Sequence, residues 1–167
     1  LVPEELQRQY TKPCTRQEFC QLVAAVAQKR TGNTVQQLVV YRGGTDSSFT
    51  DTDNADVLAC ASLGIVNGVG NGRFAPDAHI TREQAATMLA RASKTLGLSG
   101  AAKDADSALK AYPDAQAASS YAKDALAFCA EHSILESDRT ELRPGEAICR
   151  CEVAQMVWNL LAAAGEV

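Results

Sequence analysis

The stretch Ile80–Ala92, "ITREQAATMLARA", decides how the rest of the chain is read. Thr81 is a natural N-cap, and Gln84 three residues later completes a capping-box pattern, so a helix starts here. Between them stands Arg82, in the first turn, where the helix dipole favours an acid rather than a cation. The conflict is worth only a few tenths of a kcal/mol, roughly. On that argument alone, truncating Arg82 should leave stability unchanged or slightly raised.

The same arrangement occurs twice more. "CTRQEFCQLVAAVA" (14–27) places Thr15, Arg16 and Glu18 in that order, and "ICRCEVAQMVWNLL" (148–161) has Cys149, Arg150 and Glu152. Counted from each arginine, apolar residues recur at the same four places: Phe19, Leu22, Val23, Val26; then Ala85, Met88, Leu89, Ala92; then Val153, Met156, Val157, Leu160. One face of an amphipathic helix is written three times. Trp158, with this stripe around it, is expected in the core.

The repeat extends upstream of each arginine. Phe49-Thr50-Asp51 matches Tyr112-Pro113-Asp114, and Val57, Cys60, Ala61 and Ile65 match Leu126, Cys129, Ala130 and Ile134. Phe74 and Pro76 match Leu142 and Pro144. Each unit reads as loop, helix, turn, short extended segment, then the Arg-led helix. Gly64 suits a left-handed helix end, and Ser133 takes its place at some cost. Leu1-Val2 corresponds to Ile65-Val66, so the first unit is expected to be a second half only, its upstream helix lying on a longer polypeptide or replaced by another segment. The boundaries are then 1–30 (half of unit one), 31–47 (connector), 48–96 (unit two), 97–111 (connector) and 112–167 (unit three). Leu38-Val39-Val40-Tyr41 in the first connector favours a short extended segment. The second connector is small and alanine-rich, a partial helix or a loop.

These motifs resemble the S-layer homology family, whose signature runs F-x-D, W-A and a helix, G-I-x-x-G, F-x-P, and I-T-R-A-E opening a second helix. Unit two carries "FTD", "GIVNG", "GRFAP" and "ITREQ"; unit three carries "YPD", "YAKDAL", "LRP" and "CRCE", with Tyr121 at the family's Trp position. The resemblance implies an all-α fold of tandem repeats in a pseudo-threefold arrangement around a shared helical core. It implies a non-catalytic module that anchors a larger exported protein, the cargo domain on the same polypeptide, to a Gram-positive-type wall or S-layer surface. The ligand it implies is an anionic, pyruvylated secondary cell-wall polysaccharide.

In that family the arginine of each Arg-led helix faces the glycan's ketal carboxylate, which assigns Arg16, Arg82 and Arg150 to binding. The residues agree: amide groups at a helix start and a planar guanidinium together make an anion site. Asp51 and Asp114 either cap the helices that follow them or meet sugar hydroxyls. Tyr121 offers an aromatic face to a sugar or seals a junction between units. Gly70 and Asn71, in the run Gly68–Gly72, form a plain turn or let backbone approach a sugar. Thr15, Glu18, Thr81, Gln84 and Glu152 are read as capping residues. Cys149 is a poorer cap than threonine, which ranks the sites Arg82, Arg16, Arg150. The alternative function is a protein-interaction scaffold whose degenerate repeats no longer bind glycan.

Composition narrows the classes further. The 167 residues can bury a shared core, and aromatics are only 5%, so small aliphatics must fill it. A net charge of −4 disfavours nucleic acid. No run approaches the ~18 apolar residues that span a bilayer. Of the six cysteines, Cys60 and Cys129 hold equivalent inward places and Cys14 and Cys20 fit the same reading, as core fillers rather than a disulfide framework. A zinc site of Cys149, Cys151 and His132 is disfavoured, since no C-x-x-C pair occurs. "DTDNA" (51–55) lacks the glycine and distal glutamate of a calcium loop. His79 and His132 are poorly placed for a triad, so neither catalysis, metal nor cofactor is expected.

Overall fold

The computed structural model describes residues 4, 8–98, 100–135 and 140–165. Leu1 and Val2, matched above to Ile65 and Val66, lie outside them. Among the described residues the chain is all-α: α1 (Arg16–Thr31), α2 (Val35–Arg42), α3 (Ala55–Ser62), α4 (Arg82–Thr95), α5 (Ala105–Leu109), α6 (Lys123–Glu131) and α7 (Arg150–Ala163). Extended backbone occurs only as isolated bridges, with no strand among those residues.

The three Arg-led helices are α1, α4 and α7, and each begins at its arginine. Thr15, Thr81 and Cys149 are the N-caps, and all three capping boxes close, through Glu18, Gln84 and Glu152 respectively. Cys149 does so with its sulfur, which accepts from the Glu152 amide at 3.5 Å, where the threonine oxygens sit at 3.2 and 3.3 Å. The longer contact is the larger radius of sulfur, and the helix start survives it.

The residues just before these helices join in a ring. The Cys14 amide donates to the Ile148 carbonyl (2.8 Å), Ile148 to Ile80 (3.1 Å), and Ile80 back to Cys14 (3.0 Å). Each of the three donates once and accepts once, so the buried extended backbone is satisfied without a sheet. All three side chains are buried. Around this hub lie Phe19, Phe74, Phe128, Val57, Leu126 and the matched pair Ile65 and Ile134, all essentially inaccessible.

Two of the Arg-led helices each take a short helix of the following unit: α1 packs on α3, and α4 on α6. The connectors are not idle. The run Leu38–Tyr41, expected as extended, is the body of α2, because Thr34 and Gln37 close a capping box and Gly43 ends the helix in left-handed geometry. Leu38 is buried while Val40 and Tyr41 are exposed, a helical alternation that short β-favouring runs conceal. α2 packs on α3, and α5 in the second connector packs on α6. Gly64 and Ser133 both adopt positive φ, 71° and 55°, at the matched turns.

Candidate functional site

The motif aspartates explain why each loop folds back on its extended segment. Asp51 accepts from the Phe74 and Ala75 amides (2.8 and 2.9 Å), and Asp114 from the Leu142 and Arg143 amides (2.9 and 2.7 Å). Phe49 packs beside Phe74 with ring centroids 5.3 Å apart. Neither aspartate caps a following helix. Asn54 caps α3, and Asp114 makes no side-chain cap to the short 3-10 turn behind it. The capping expectation is therefore corrected: two amides in an extended segment offer a carboxylate a better chelate than a helix end that Asn54 already fills. These bonds hold the Asp51 carboxyl below its ordinary range, the Phe74 amide contributing most.

All three arginines reach across to the next unit. Arg16 donates through Nε to the Phe74 carbonyl (2.8 Å) and through Nη2 to the Asn67 carbonyl (2.6 Å), with its guanidinium 4.5 Å from the Phe74 ring centre. Arg82 donates through Nε to the Leu142 carbonyl (2.9 Å) and through Nη1 to Glu152 Oε1 (2.9 Å). Arg150 holds both carboxylate oxygens of Glu18 and donates to the Arg8 carbonyl (3.0 Å).

The partners of these arginines follow the cycle of units. Glu152 and Glu18 are the capping-box residues of the next Arg-led helix, each carboxylate serving its own helix start and the preceding unit's arginine at once. For Arg16 the corresponding residue is Gln84, whose amide oxygen closes the box on Thr81 but carries no charge. Among the described residues Arg16 has no ion-pair partner, although it is only 9% exposed. Burial lowers its pKa, with the nearby Asp51 opposing. Arg150 moves the other way, raised by Glu18, while burial pushes Glu18 up and the bonds from Arg150 and the Thr15 amide carry it below its usual value.

A second cation converges on the same place. With the Asn67 amide oriented to satisfy its neighbours, its oxygen accepts from Arg91 Nη1 at 3.3 Å and its nitrogen donates to the Val66 carbonyl. Arg16 thus reaches the backbone carbonyl of Asn67 and Arg91 its side chain, neither in an ion pair among the described residues. Sequence reasoning passed over both Asn67 and Arg91. Arg91 lies outside the apolar stripe of α4, and only the fold brings it to Asn67.

Tyr121 donates its hydroxyl to Glu83 Oε1 (3.1 Å) and leaves its ring 55% exposed. Glu83, also passed over, is buried and accepts from the Ser119 amide and hydroxyl as well (2.9 and 2.8 Å), latching unit three onto α4. Burial first, then Glu83, raises the Tyr121 pKa. Gly70 (φ 101°) and Asn71 (φ 51°) form a tight turn closed by the Arg73 amide on the Gly70 carbonyl. Gly68 is required by packing: a Cβ there would meet the Arg73 carbonyl at 2.8 Å and the Phe49 ring at 2.9 Å. Trp158 is a correction. It is 51% exposed on the outer side of α7, because its position is one step beyond the buried stripe and no described element covers it.

Fold and site together define a tandem array of helix–loop–helix units whose interfaces are bridged by arginine. The sequence profile of the S-layer homology domain matches residues 48–86, within unit two. Domains of that family are cell-surface binding modules that attach proteins to the cell wall, which puts the chain at the cell surface. A solved structure, the undecaheme cytochrome from the S-layer of Carboxydothermus ferrireducens, is similar at 22% identity over 93% of this chain and 21% of that one, with a TM-score of 0.44. No curated protein matches the sequence. No described helix is long and apolar enough to cross a membrane.

Proposed function

We propose that the chain tethers a larger exported protein to the cell envelope by binding an anionic, pyruvylated wall polysaccharide, and that the anion is taken at Arg16 rather than equally at all three arginines. The observation that carries this is charge compensation. Arg82 and Arg150 are paired with Glu152 and Glu18, whereas Gln84 brings no charge and Arg16 makes no ion pair among the described residues. Arg91, bonded to the Asn67 side chain, adds a second positive charge. A ketal carboxylate needs the fixed fork of a guanidinium whose charge is not already spent. The exposed Tyr121 ring, near enough to Arg91 to feel its charge, offers an apolar face to a sugar ring. The three units around a shared helical core, supported by the hydrogen-bond ring at the hub, hold these groups in place.

The test is calorimetric titration with a pyruvylated wall saccharide. Arg16→Ala should weaken binding roughly ten- to a hundredfold, the loss expected of one charge-assisted contact. A depyruvylated saccharide should bind poorly to every variant. Equal losses from Arg16→Ala and from variants at Arg82 and Arg150 that remain folded would overturn the ranking. Binding that ignores pyruvate would favour a protein-interaction scaffold instead.

A further inference from the structure

Cys20 of α1 and Cys60 of α3 meet where these two helices pack, at the contact between units one and two. Both are fully buried, and the Cys60 thiol donates to the Cys20 carbonyl at 3.9 Å. The Cys20 thiol also lies within hydrogen-bonding reach of it. That contact first, and burial second, push the Cys60 thiol well above its ordinary value. Cys20 follows Arg16 by one helical turn and is near enough to act on its charge, so the pair lies close to the arginine that reaches Asn67 and Phe74.

The repeat supplies its own comparison. Unit three carries Cys129 at the place of Cys60, but α4 carries Ala86 at the place of Cys20. Cys129 is as buried as Cys60, yet burial alone raises it. A cysteine on the short helix therefore fills its core place without a partner, and alanine suffices on the Arg-led helix. Of these two contacts, only that of α1 with α3 has a second thiol.

We propose that Cys20 and Cys60 are a disulfide-forming pair, oxidised as the chain folds in an oxidising extracellular environment to tie α1 to α3. The structure holds the reduced form of this pair. The oxidant is itself a disulfide. One cysteine attacks it as thiolate and displaces one of its sulfurs as a thiol; the second cysteine then attacks the mixed disulfide, the Cys20–Cys60 bond forms, and the other sulfur leaves as a thiol. The pair gives up its two protons and two electrons, and the oxidant's S–S bond is reduced. Both sulfurs are out of reach once α3 has docked, so the exchange precedes docking, when solvated thiols ionise more readily. The bond spans 40 residues of sequence and restricts the unfolded chain.

The test refolds the reduced, unfolded chain by dilution into oxidised and reduced glutathione, followed by alkylation in denaturant and peptide mapping without reduction. A linked Cys20–Cys60 peptide should appear, and this chain should melt several degrees above the same chain kept under reductant, whose two thiols stay free. Cys20→Ala, the residue α4 already uses at this place, should remove both the link and the gain. Cys129→Ala should keep both. Alkylation of both Cys20 and Cys60 after oxidative refolding would overturn the proposal. So would Cys60 bonded to a different cysteine, or a Cys20→Ala variant that retains the oxidant-dependent gain.

Discussion

Arg82 of α4 and Glu152 of α7 form an ion pair at 2.9 Å across 70 residues of sequence, with side chains only 5% and 15% exposed. The cation that the helix dipole disfavours at the start of α4 is therefore part of the contact between units two and three. Its carboxylate partner, the carbonyl of Leu142 and its own burial outweigh a dipole term of a few tenths of a kcal/mol, roughly.

Arg82→Ala should accordingly destabilise the chain, reversing the expectation from the isolated helix. Removing one side of a buried pair takes the Arg82 guanidinium away from Glu152, and a loss of about 3 kcal/mol is expected. Urea unfolding followed by circular dichroism measures it. A wild-type midpoint would show that the dipole conflict, not the pair, sets the balance.

Gln84→Glu should separate stability from binding. It supplies at Arg16 the carboxylate that Arg82 and Arg150 already have, while keeping the capping box on Thr81. A gain of about 1 kcal/mol or less is expected, as a melting temperature raised by a few degrees. Affinity for a pyruvylated saccharide should fall by about tenfold or more, because the protein's own carboxylate competes for the guanidinium. Unchanged affinity would remove Arg16 from the binding site.

Acid should loosen the contact between α7 and α1. The Glu18 pKa is lowered in the folded chain, so the unfolded chain binds protons more readily. The stabilisation is then fully present above the ordinary glutamate value of 4.5 and is lost as pH falls through the depressed folded value. Denaturation curves between pH 6 and pH 3, roughly the window this linkage sets, should show a fall that Glu18→Gln flattens. A variant with the same acid dependence as the parent would mean that other carboxylates govern it.

Thiol chemistry should divide the cysteines by place. All six are free in the structure; Cys14, Cys20, Cys60 and Cys129 are buried, while Cys151 is exposed. Burial pushes Cys14 and Cys129 up to about 12, and Cys149 rises to about 11 through burial and its neighbour Cys151. Iodoacetamide at pH 8 should modify Cys151 first in the folded protein and the buried four only after unfolding, read by mass spectrometry. Rapid labelling of Cys60 in the folded state would contradict the core described above.

Much of this architecture is written locally. Helix starts at Thr15, Thr81 and Cys149, the matched turns at Gly64 and Ser133, and the buried stripe after each arginine depend on residues within a few positions of one another, and sequence periodicity reports such couplings directly. The sequence also marked Asp51, Asp114 and the three arginines as special. What it could not carry was their partners. Asp51 meets amides more than twenty residues away, and Arg82 meets a carboxylate seventy away, so their roles as ties and bridges belong to the packing of one unit on the next. The same holds for α2, where the apolar face of Leu38 against α3 outweighs a β-favouring run, and for Trp158, whose exposure depends on what sits beside α7. The substitution of glutamine for glutamate at position 84 is plain in the sequence, yet only the cyclic order of the units shows whose charge it leaves unpaired.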